Sequence, residues 1–235
     1  MTTRVAMDRN KVEYHRLALF GRMVMGVSHE IDNYLSVVIG FAELIQISGG
    51  AEKKTLDGVG KILNAGEKIN TIIRHFSQYV RPHASVRERF SPAEAVRECL
   101  VFARYDLGRN NVALAVPESY PPGLLTGDRR DFGLAILALL FNGAEAMAKD
   151  GGTLRMDVSV KDGAWEFVVT DEGPGIPPEI EKLIFEEGFT TKDGTPHSGM
   201  GLPLARYLAA DMGGTVSVAN RTGGGCEAVL KIPAA

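Results

Sequence analysis

A histidine, a carboxylate and an amide lie close together in the segment SHEIDN at positions 28–33. On a helix, Glu30 can orient the His29 imidazole and accept the proton released when a ring nitrogen attacks an electrophile. Asn33 follows His29 by one helical turn on the same face, where its amide could position a water molecule. These three residues are candidate catalytic residues, although a His-Glu pair alone is more often a solvated part of a helix.

A second group of chemically capable residues lies more than a hundred positions later. Asn142 stands among apolar residues of a predicted buried helix, so its amide is either satisfied within the core or serves as a ligand for Mg²⁺. Asp171 follows a predicted strand and precedes Gly173-Pro174-Gly175. A carboxylate there could accept the exocyclic amine of adenine while the glycines let the backbone approach the base. The alternative is an ordinary Asp-rich turn.

Two further segments suit a nucleotide phosphate. The segment GMGL (199–202) precedes a predicted helix, and N–H groups of a glycine loop at a helix N-terminus bind phosphate well. The glycine-rich polar segment 184–194 is predicted to be a mobile lid that orders over a nucleotide. Lys192 could reach the terminal phosphate from this lid, whereas a solvated lysine is the commoner outcome.

The histidine segment belongs to the first of two long helices predicted between Asp8 and Arg81. Apolar residues recur along both helices at spacings of three and four, and the segment SGG (48–50) and Pro82 end them. One such hairpin cannot bury both apolar stripes, so we expect two copies to form a four-helix bundle. His29 lies off the stripe and is predicted to be exposed. Nothing in the sequence explains three glycines of the second helix, Gly58, Gly60 and Gly66.

The remaining chain is predicted to mix helices and strands. Ser91 is a predicted N-cap with Pro92 at the first helical position. A buried helix over 132–148, a hairpin turning at Asp162-Gly163, a helix over 203–212 and two strands around the turn at 223–225 follow. This order predicts an α+β sandwich with helices on one face of a sheet.

Composition limits the class of protein. The chain has 235 residues, a net charge of −3 and 45% hydrophobic residues, which is typical of a globular protein and argues against a nucleic-acid partner. Two cysteines are too few for a disulfide framework, so we expect a cytoplasmic protein. No apolar run approaches the roughly 18 residues of a membrane span, and no signal peptide is visible.

In their order and spacing, these segments resemble those of two-component sensor histidine kinases. The segment GVSHEIDN (26–33) is similar to the phosphoacceptor box of their dimerisation hairpin. The later segments resemble the N box, the two glycine boxes and the F box of the GHKL-type ATP-binding domain, which gyrase, heat-shock chaperones and mismatch-repair ATPases share. The resemblance covers residues 15–233 and implies two domains. These are an all-α phosphotransfer hairpin at 1–85, forming a dimeric four-helix bundle, and an α+β catalytic domain at 90–235.

The resemblance also implies a role for individual residues. His29 is the phosphorylated residue, Glu30 the general base, and Asn33 occupies the position associated with phosphatase activity. Asn142 is the Mg²⁺ ligand, and Asp171 reads adenine. The residues implied to bind ATP are Asn142, Glu145, Asp171, Gly173, Gly175, Ile176, Phe189, Thr191, Lys192, Gly199, Met200, Gly201 and Leu202.

The chain departs from the family pattern at several positions. Asp32 and Tyr34 stand where the family commonly has a basic or polar residue and then a proline. Because proline bends a helix, the helix is expected to be straighter here. Ala138 replaces the asparagine or catalytic glutamate of relatives, which fits transfer to histidine rather than hydrolysis. Gly143 replaces the usual alanine and is expected to be tolerated.

The implied activity is that of an ATP-dependent protein-histidine autokinase with cofactors ATP and Mg²⁺. Such a homodimer would pass the phosphoryl group from His29 to an aspartate of a response regulator receiver domain, and could also act as a phosphatase of that regulator. A histidine phosphotransfer relay protein with a vestigial ATP domain is one alternative. A non-catalytic dimeric scaffold regulated by nucleotide is another. The intact glycine segments, Asn142 and Asp171 argue against a vestigial domain.

Overall fold

Two long antiparallel helices form the N-terminal part of the chain. The structure, a computed structural model, describes residues 9–47, 52–80, 86–109, 111–191 and 199–235. Helix α1 (Arg9–Ile47) packs along helix α2 (Glu52–Val80), as the apolar periodicity predicts. The predicted helix ends at 48–50 and at Pro82 lie outside the described residues. Within the described ranges, no helix is long and apolar enough to cross a bilayer.

Among the hairpin residues whose burial the structure describes, the buried apolar side chains are Val27, Ala65 and Ile72. Gly58 is also buried, because the Ile45 side chain occupies the space of a Cβ at this position and its Cδ1 would lie 2.9 Å from that atom. A close approach of the helices therefore explains Gly58. Gly60 and Gly66 face open space, and nothing in the structure explains them.

A second apolar stripe of the hairpin faces solvent. Its large hydrophobic side chains that are between 41% and 64% exposed include Leu17, Val24, Leu35, Val59, Leu63 and Ile73. The expectation that a single hairpin leaves an apolar stripe uncovered is thus met within this chain.

The centre of the C-terminal part is a five-stranded mixed sheet with the strand order β2-β4-β5-β7-β6. Its strands are β2 (Val112–Ala115), β4 (Gly152–Lys161), β5 (Ala164–Thr170), β6 (Thr215–Asn220) and β7 (Cys226–Pro233). The β2–β4 pair is parallel and the other pairs are antiparallel. A separate antiparallel pair joins β1 (Glu88–Phe90) to β3 (Leu125–Gly127).

Helices α3 (Pro92–Arg109), α4 (Arg129–Ala146) and α5 (Gly201–Asp211) complete this part of the chain. Helix α4 is the central one, packed between α3 and α5 and against the sheet, with every residue from 131 to 141 buried. The Phe132 ring of α4 meets the Phe167 ring of β5 at 5.0 Å, and Trp165 stacks on Phe167 at 6.0 Å. This core holds the C-terminal end of α4 next to the beginning of β4 and the end of β5.

Most predicted elements are present with slightly different ends. Helix α4 begins at Arg129, where the Asp128 carboxylate accepts hydrogen bonds from the Arg130 and Asp131 backbone N–H groups. The Ser91 hydroxyl accepts a hydrogen bond from the Glu94 N–H at 3.4 Å, as expected of an N-cap. The sequence reasoning missed β1, β2 and β3, because strands of three or four residues are too short to show an alternating pattern.

The hairpin contacts the C-terminal part mainly through α3. Helix α1 packs against α3, and the Phe76 ring of α2 meets the Phe102 ring of α3 edge-on at 6.3 Å. Val27, two residues before His29, belongs to the same buried apolar cluster as the residues of α3 and α4.

Candidate nucleotide-binding and phosphoacceptor sites

Asp171 lies directly after β5 with only 5% of its surface exposed. Its carboxylate Oδ1 accepts hydrogen bonds from the backbone N–H groups of Gly173 at 2.9 Å and of Cys226 at 3.1 Å. The other carboxylate oxygen, Oδ2, accepts no hydrogen bond from any residue that the structure describes. A buried carboxylate oxygen in this state is suited to accept a hydrogen bond from a ligand amine.

The Cys226 thiol lies beside this carboxylate. Burial, reinforced by the negative charge of Asp171, raises the pKa of Cys226 to about 11. The thiol is therefore neutral at physiological pH and lies 3.5 Å from the Asn220 Oδ1.

The glycine-rich loop after β5 is tied to the distant end of β6. The Ile176 N–H donates to the Asn220 Oδ1 at 2.7 Å, and the Asn220 Nδ2 donates to the Ile176 carbonyl at 2.8 Å. Gly175 has a φ of 82°, and a Cβ there would lie 2.9 Å from the Asn220 Oδ1, so glycine is required on both counts. Sequence reasoning identified Gly175 and Ile176 but missed Asn220, since only the β6–β7 pairing brings it here.

Asn142 lies in the last turns of α4 between the buried residues Phe141 and Gly143 and is itself half-buried. Its side-chain amide makes no hydrogen bond to the parts of the chain that the structure describes. Glu145, the next candidate on this helix, is also half-buried. An amide oxygen with no protein partner fits a Mg²⁺ ligand, since that ion takes few protein ligands and completes its shell with water and phosphate oxygens. The described residues contain no group of three or more His, Cys, Asp and Glu side chains arranged to hold a metal ion.

Gly143 is packed between β4 and Asp171. A Cβ at Gly143 would lie 2.5 Å from the Leu154 Cδ1 and 3.6 Å from the Asp171 Cβ. Gly143 thus lacks the methyl group of the alanine usual in the family, and the Leu154 side chain fills that space.

In the segment 199–202, Gly199 lies where another part of the backbone comes very close. Gly199 has a φ of 63°, and a Cβ there would lie 2.5 Å from the Phe189 carbonyl oxygen. The buried Met200 receives a hydrogen bond at its Sδ from the Gly188 N–H at 3.2 Å. Gly201 begins α5, followed by the buried Leu202. Gly188 and Phe189 of the predicted lid therefore contact the segment 199–200 beside the N-terminus of α5.

Successive turns lead from residue 177 into the part of the predicted lid that the structure describes, residues 184–191. Hydrogen bonds of the turn type link 177 to 180, 180 to 183, 183 to 186 and 186 to 189. The Arg206 guanidinium of α5 lies 3.8 Å from the centroid of the Phe185 ring. Phe189 is half-buried, Thr191 is exposed, and Lys192 lies outside the described residues.

The histidine segment lies on α1. His29 is exposed, as its position off the apolar stripe predicts, and the Asn33 Nδ2 lies 3.2 Å from its Nδ1. Glu30 is half-buried, and the Tyr34 hydroxyl lies within hydrogen-bonding reach of its carboxylate. Burial, the charge of Glu30 and this hydrogen bond, in that order, raise the pKa of Tyr34 above its usual value.

Tyr34 also accounts for the missing proline of the family pattern. Helix α1 runs without interruption through this position. The Lys68 Nζ of α2 lies 5.2 Å from the centroid of the Tyr34 ring, which packs against the apolar cluster. A side chain that joins the two helices thus replaces a residue that would bend one of them.

The structure therefore forms two separate groups of candidate residues. The first combines the end of α4, the loop after β5 and the start of α5. It contains the buried Asp171 carboxylate, the Asn142 amide with no described partner and glycines at close backbone contacts, which are features that suit a nucleotide site. Residues 127–235 match the family described as histidine kinase-, DNA gyrase B- and HSP90-like ATPases. This C-terminal part is therefore an ATPase domain of that family, which implies ATP as its ligand.

The similarity to histidine kinases extends beyond this domain. The chain is 27% identical over 235 residues to the signal transduction histidine-protein kinase AtoS of Escherichia coli, covering 99% of this chain and 38% of that protein. It is 26% identical over 231 residues to the C4-dicarboxylate transport sensor protein DctB of Rhizobium meliloti, covering 95% and 36%. A mycobacterial sensor histidine kinase structure, MprB, has a TM-score of 0.53 at 28% identity over 63% of this chain and 98% of its own.

These comparisons confirm the resemblance to two-component sensor histidine kinases. The chain spans well under half the length of the two full-length relatives, 38% and 36%.

Proposed function

We propose that this chain is the ATP-dependent histidine autokinase portion of a two-component sensor. Its working parts are a phosphotransfer hairpin at 1–85 and a catalytic domain at 90–235. The observation that carries the proposal is the buried Asp171, whose Oδ2 has no described partner at the glycine loop of a histidine kinase-like ATPase domain. An exposed His29 with Glu30 and Asn33 on a separate helix supplies a phosphoryl acceptor.

The nucleotide site would recognise both ends of ATP. Asp171 would accept the adenine amine, with Gly173, Gly175 and Ile176 forming the wall of the base pocket. The phosphates would lie at the N-terminus of α5, bound by the segment 199–202. The remaining proposed contacts are Glu145, Phe189, Thr191 and Lys192. A Mg²⁺ ion held by Asn142 would neutralise phosphate charge.

His29 is the proposed nucleophile. Its unprotonated ring nitrogen forms a bond to the γ-phosphorus, the bond between that phosphorus and the β–γ bridging oxygen breaks, and ADP leaves. Glu30 accepts the proton that the imidazole loses. When the Asn33 Nδ2 donates to His29 Nδ1, the ring proton is on Nε2. If the amide turns over, its oxygen accepts from a protonated Nδ1, and the lone pair that attacks is then on Nε2. The orientation of the Asn33 amide therefore influences which ring nitrogen of His29 is unprotonated and can react.

The proposed acceptor of the phosphoryl group is an aspartate in a response regulator receiver domain. A groove of about 580 Å³ between α1 and α2 lies beside the histidine segment, with Tyr34, Leu56, Lys61 and Lys68 among its lining residues. Its apolar and charged lining suits a protein partner. Phosphatase activity toward that regulator would depend on Asn33.

We further propose that the hairpin is a homodimer. The exposed stripe that includes Leu17, Leu35 and Leu63 is apolar along both helices. A second copy would cover it in a four-helix bundle.

Incubation of the protein with γ-labelled ATP and Mg²⁺ tests the proposal. The expected label survives base and is lost in acid, as phosphohistidine requires. His29→Ala should remove the label while ATP binding persists, whereas Asp171→Ala should remove binding as well. His15→Ala, at another histidine of α1, is the matched control and should label normally. Label on the His29→Ala protein would overturn the assignment.

The same experiment separates the alternatives. Bound ATP without any label would favour the nucleotide-regulated scaffold. Neither binding nor label, together with uptake of phosphate from a phosphorylated receiver domain, would favour the relay protein.

A further inference from the structure

Asn220 makes a two-sided contact with a single residue of the glycine-rich loop. Its amide accepts from the Ile176 N–H at 2.7 Å and donates to the Ile176 carbonyl at 2.8 Å. The backbone N–H and the carbonyl of Ile176 are thus both held by a side chain that lies 44 positions later in the chain. Such pairing restricts position and orientation together, because a primary amide has its donor and acceptor in one plane.

The end of β6 also determines where the Asp171 carboxylate lies. The Arg221 Nη1 donates to the Asp171 backbone carbonyl at 3.1 Å, and the Cys226 N–H donates to the carboxylate Oδ1 at 3.1 Å. Gly225 has a φ of 75°, and a Cβ there would collide with the Asp171 carbonyl oxygen. The turn between β6 and β7 therefore lies in direct contact with the residue proposed to read adenine.

The loop after β5 is thereby held at two points. Asp171 Oδ1 holds its beginning through the Gly173 N–H, and Asn220 holds its end through Ile176. Between them lie Pro174, which is exposed, and Gly175, whose left-handed backbone would be free to change without the second contact.

We infer that Asn220 is a positioning residue that fixes the base pocket and so sets the preference for adenine. This inference rests on the proposed nucleotide site. Asn220 itself is exposed, so loss of its side chain leaves the Ile176 backbone groups accessible to water and costs little folding stability. The loop, however, gains freedom that binding of the adenine base to Asp171 must then remove, and the affinity for ATP falls.

The test uses the whole chain and measures dissociation constants for ATP and GTP with Mg²⁺ present. Asn220→Ala should weaken ATP binding about tenfold and leave GTP binding nearly unchanged, so that the ATP preference falls by a similar factor. Asn220→Asp keeps the side-chain volume and the acceptor for the Ile176 N–H but places a carboxylate oxygen against the Ile176 carbonyl. It should weaken ATP binding at least as much.

Controls on the same turn separate positioning from charge and from fold. Thr222 is exposed, and Thr222→Ala and Thr222→Asp should bind ATP as the wild type does, although the second adds the same charge as Asn220→Asp. Fluorescence of the buried Trp165 should show that every variant is folded.

The outcomes are distinguishable. Unchanged ATP and GTP affinities in a folded Asn220→Ala protein would overturn the inference and leave the proposed function intact. An equal loss for both nucleotides would also overturn it, because the contact would then support the fold and not base selection. A wild-type protein that binds neither nucleotide would overturn the proposed function and this inference together.

Discussion

Replacing Gly143 by alanine should destabilise the C-terminal domain, although alanine is the better helix former. The added Cβ would lie 2.5 Å from the Leu154 Cδ1, well inside van der Waals contact. Leu154 is completely buried, so its side chain cannot move into solvent to make room. The clash must therefore be relieved within the core, by a change of the Leu154 rotamer or by a shift of β4 or α4.

Two opposing contributions set the magnitude. Overpacking of a buried site costs about 1–3 kcal/mol. Alanine in place of glycine returns up to about 1 kcal/mol of helix propensity, and less near a helix end. The expected net effect is a loss of about 1 kcal/mol in the free energy of unfolding.

Urea unfolding followed by Trp165 fluorescence measures this effect, since the chain has one tryptophan and it is buried in this domain. Leu154→Val removes the δ-methyl groups, so alanine at position 143 should be neutral or stabilising in that background. The double-mutant cycle should give a coupling of about 1–3 kcal/mol. A coupling below about 0.5 kcal/mol would refute the idea that Leu154 and Gly143 are matched, because independent sites add to within that amount.

Three further outcomes are expected. Tyr34→Pro should lower the stability of α1 by about 3 kcal/mol, because proline removes an intrahelical N–H donor. Tyr34→Phe should cost under about 1 kcal/mol, and circular dichroism melts compare the two variants. Asp128→Ala should cost about 2 kcal/mol in urea unfolding, since Asp128 caps α4 and also accepts from the Val86 N–H at 3.1 Å. Folding raises the pKa of the Cys226 thiol from 9.0 to about 11. The neutral thiol therefore makes its full contribution to the free energy of unfolding below pH 9, and this contribution is lost as the pH rises toward 11. Unfolding at pH 8 and near pH 11 should show a steeper loss in the wild type than in Cys226→Ala, and equal slopes would count against the raised pKa.

Local features of the sequence were sufficient for most elements. The three-and-four spacing of apolar residues predicted α1 and α2 and the exposure of His29, because burial of one helix face imposes that period. Alternation on either side of Asp162-Gly163 predicted the β4–β5 hairpin, whose two turn residues have φ values of 50° and 72°.

Two departures from the family pattern and one unexplained glycine have a physical reason that only the structure shows. Gly143 matches Leu154, and Tyr34 joins α1 to α2. Gly58, which the sequence left unexplained, allows the helices to approach at Ile45. Each reason is a contact with a residue outside the motif, so the motif alone carries no sign of it.

The sequence by itself determined which residues are candidates for a nucleotide and phosphoacceptor site: His29 on an outward helix face, Asp171 after a strand and glycines before a helix. Tertiary structure decided how the site is held. Asn220 reaches Ile176 across 44 positions, and this contact exists because β6 pairs with β7 and β7 pairs with β5. Periodicity reports which face of an element is buried, whereas strand order and register decide which distant side chains meet.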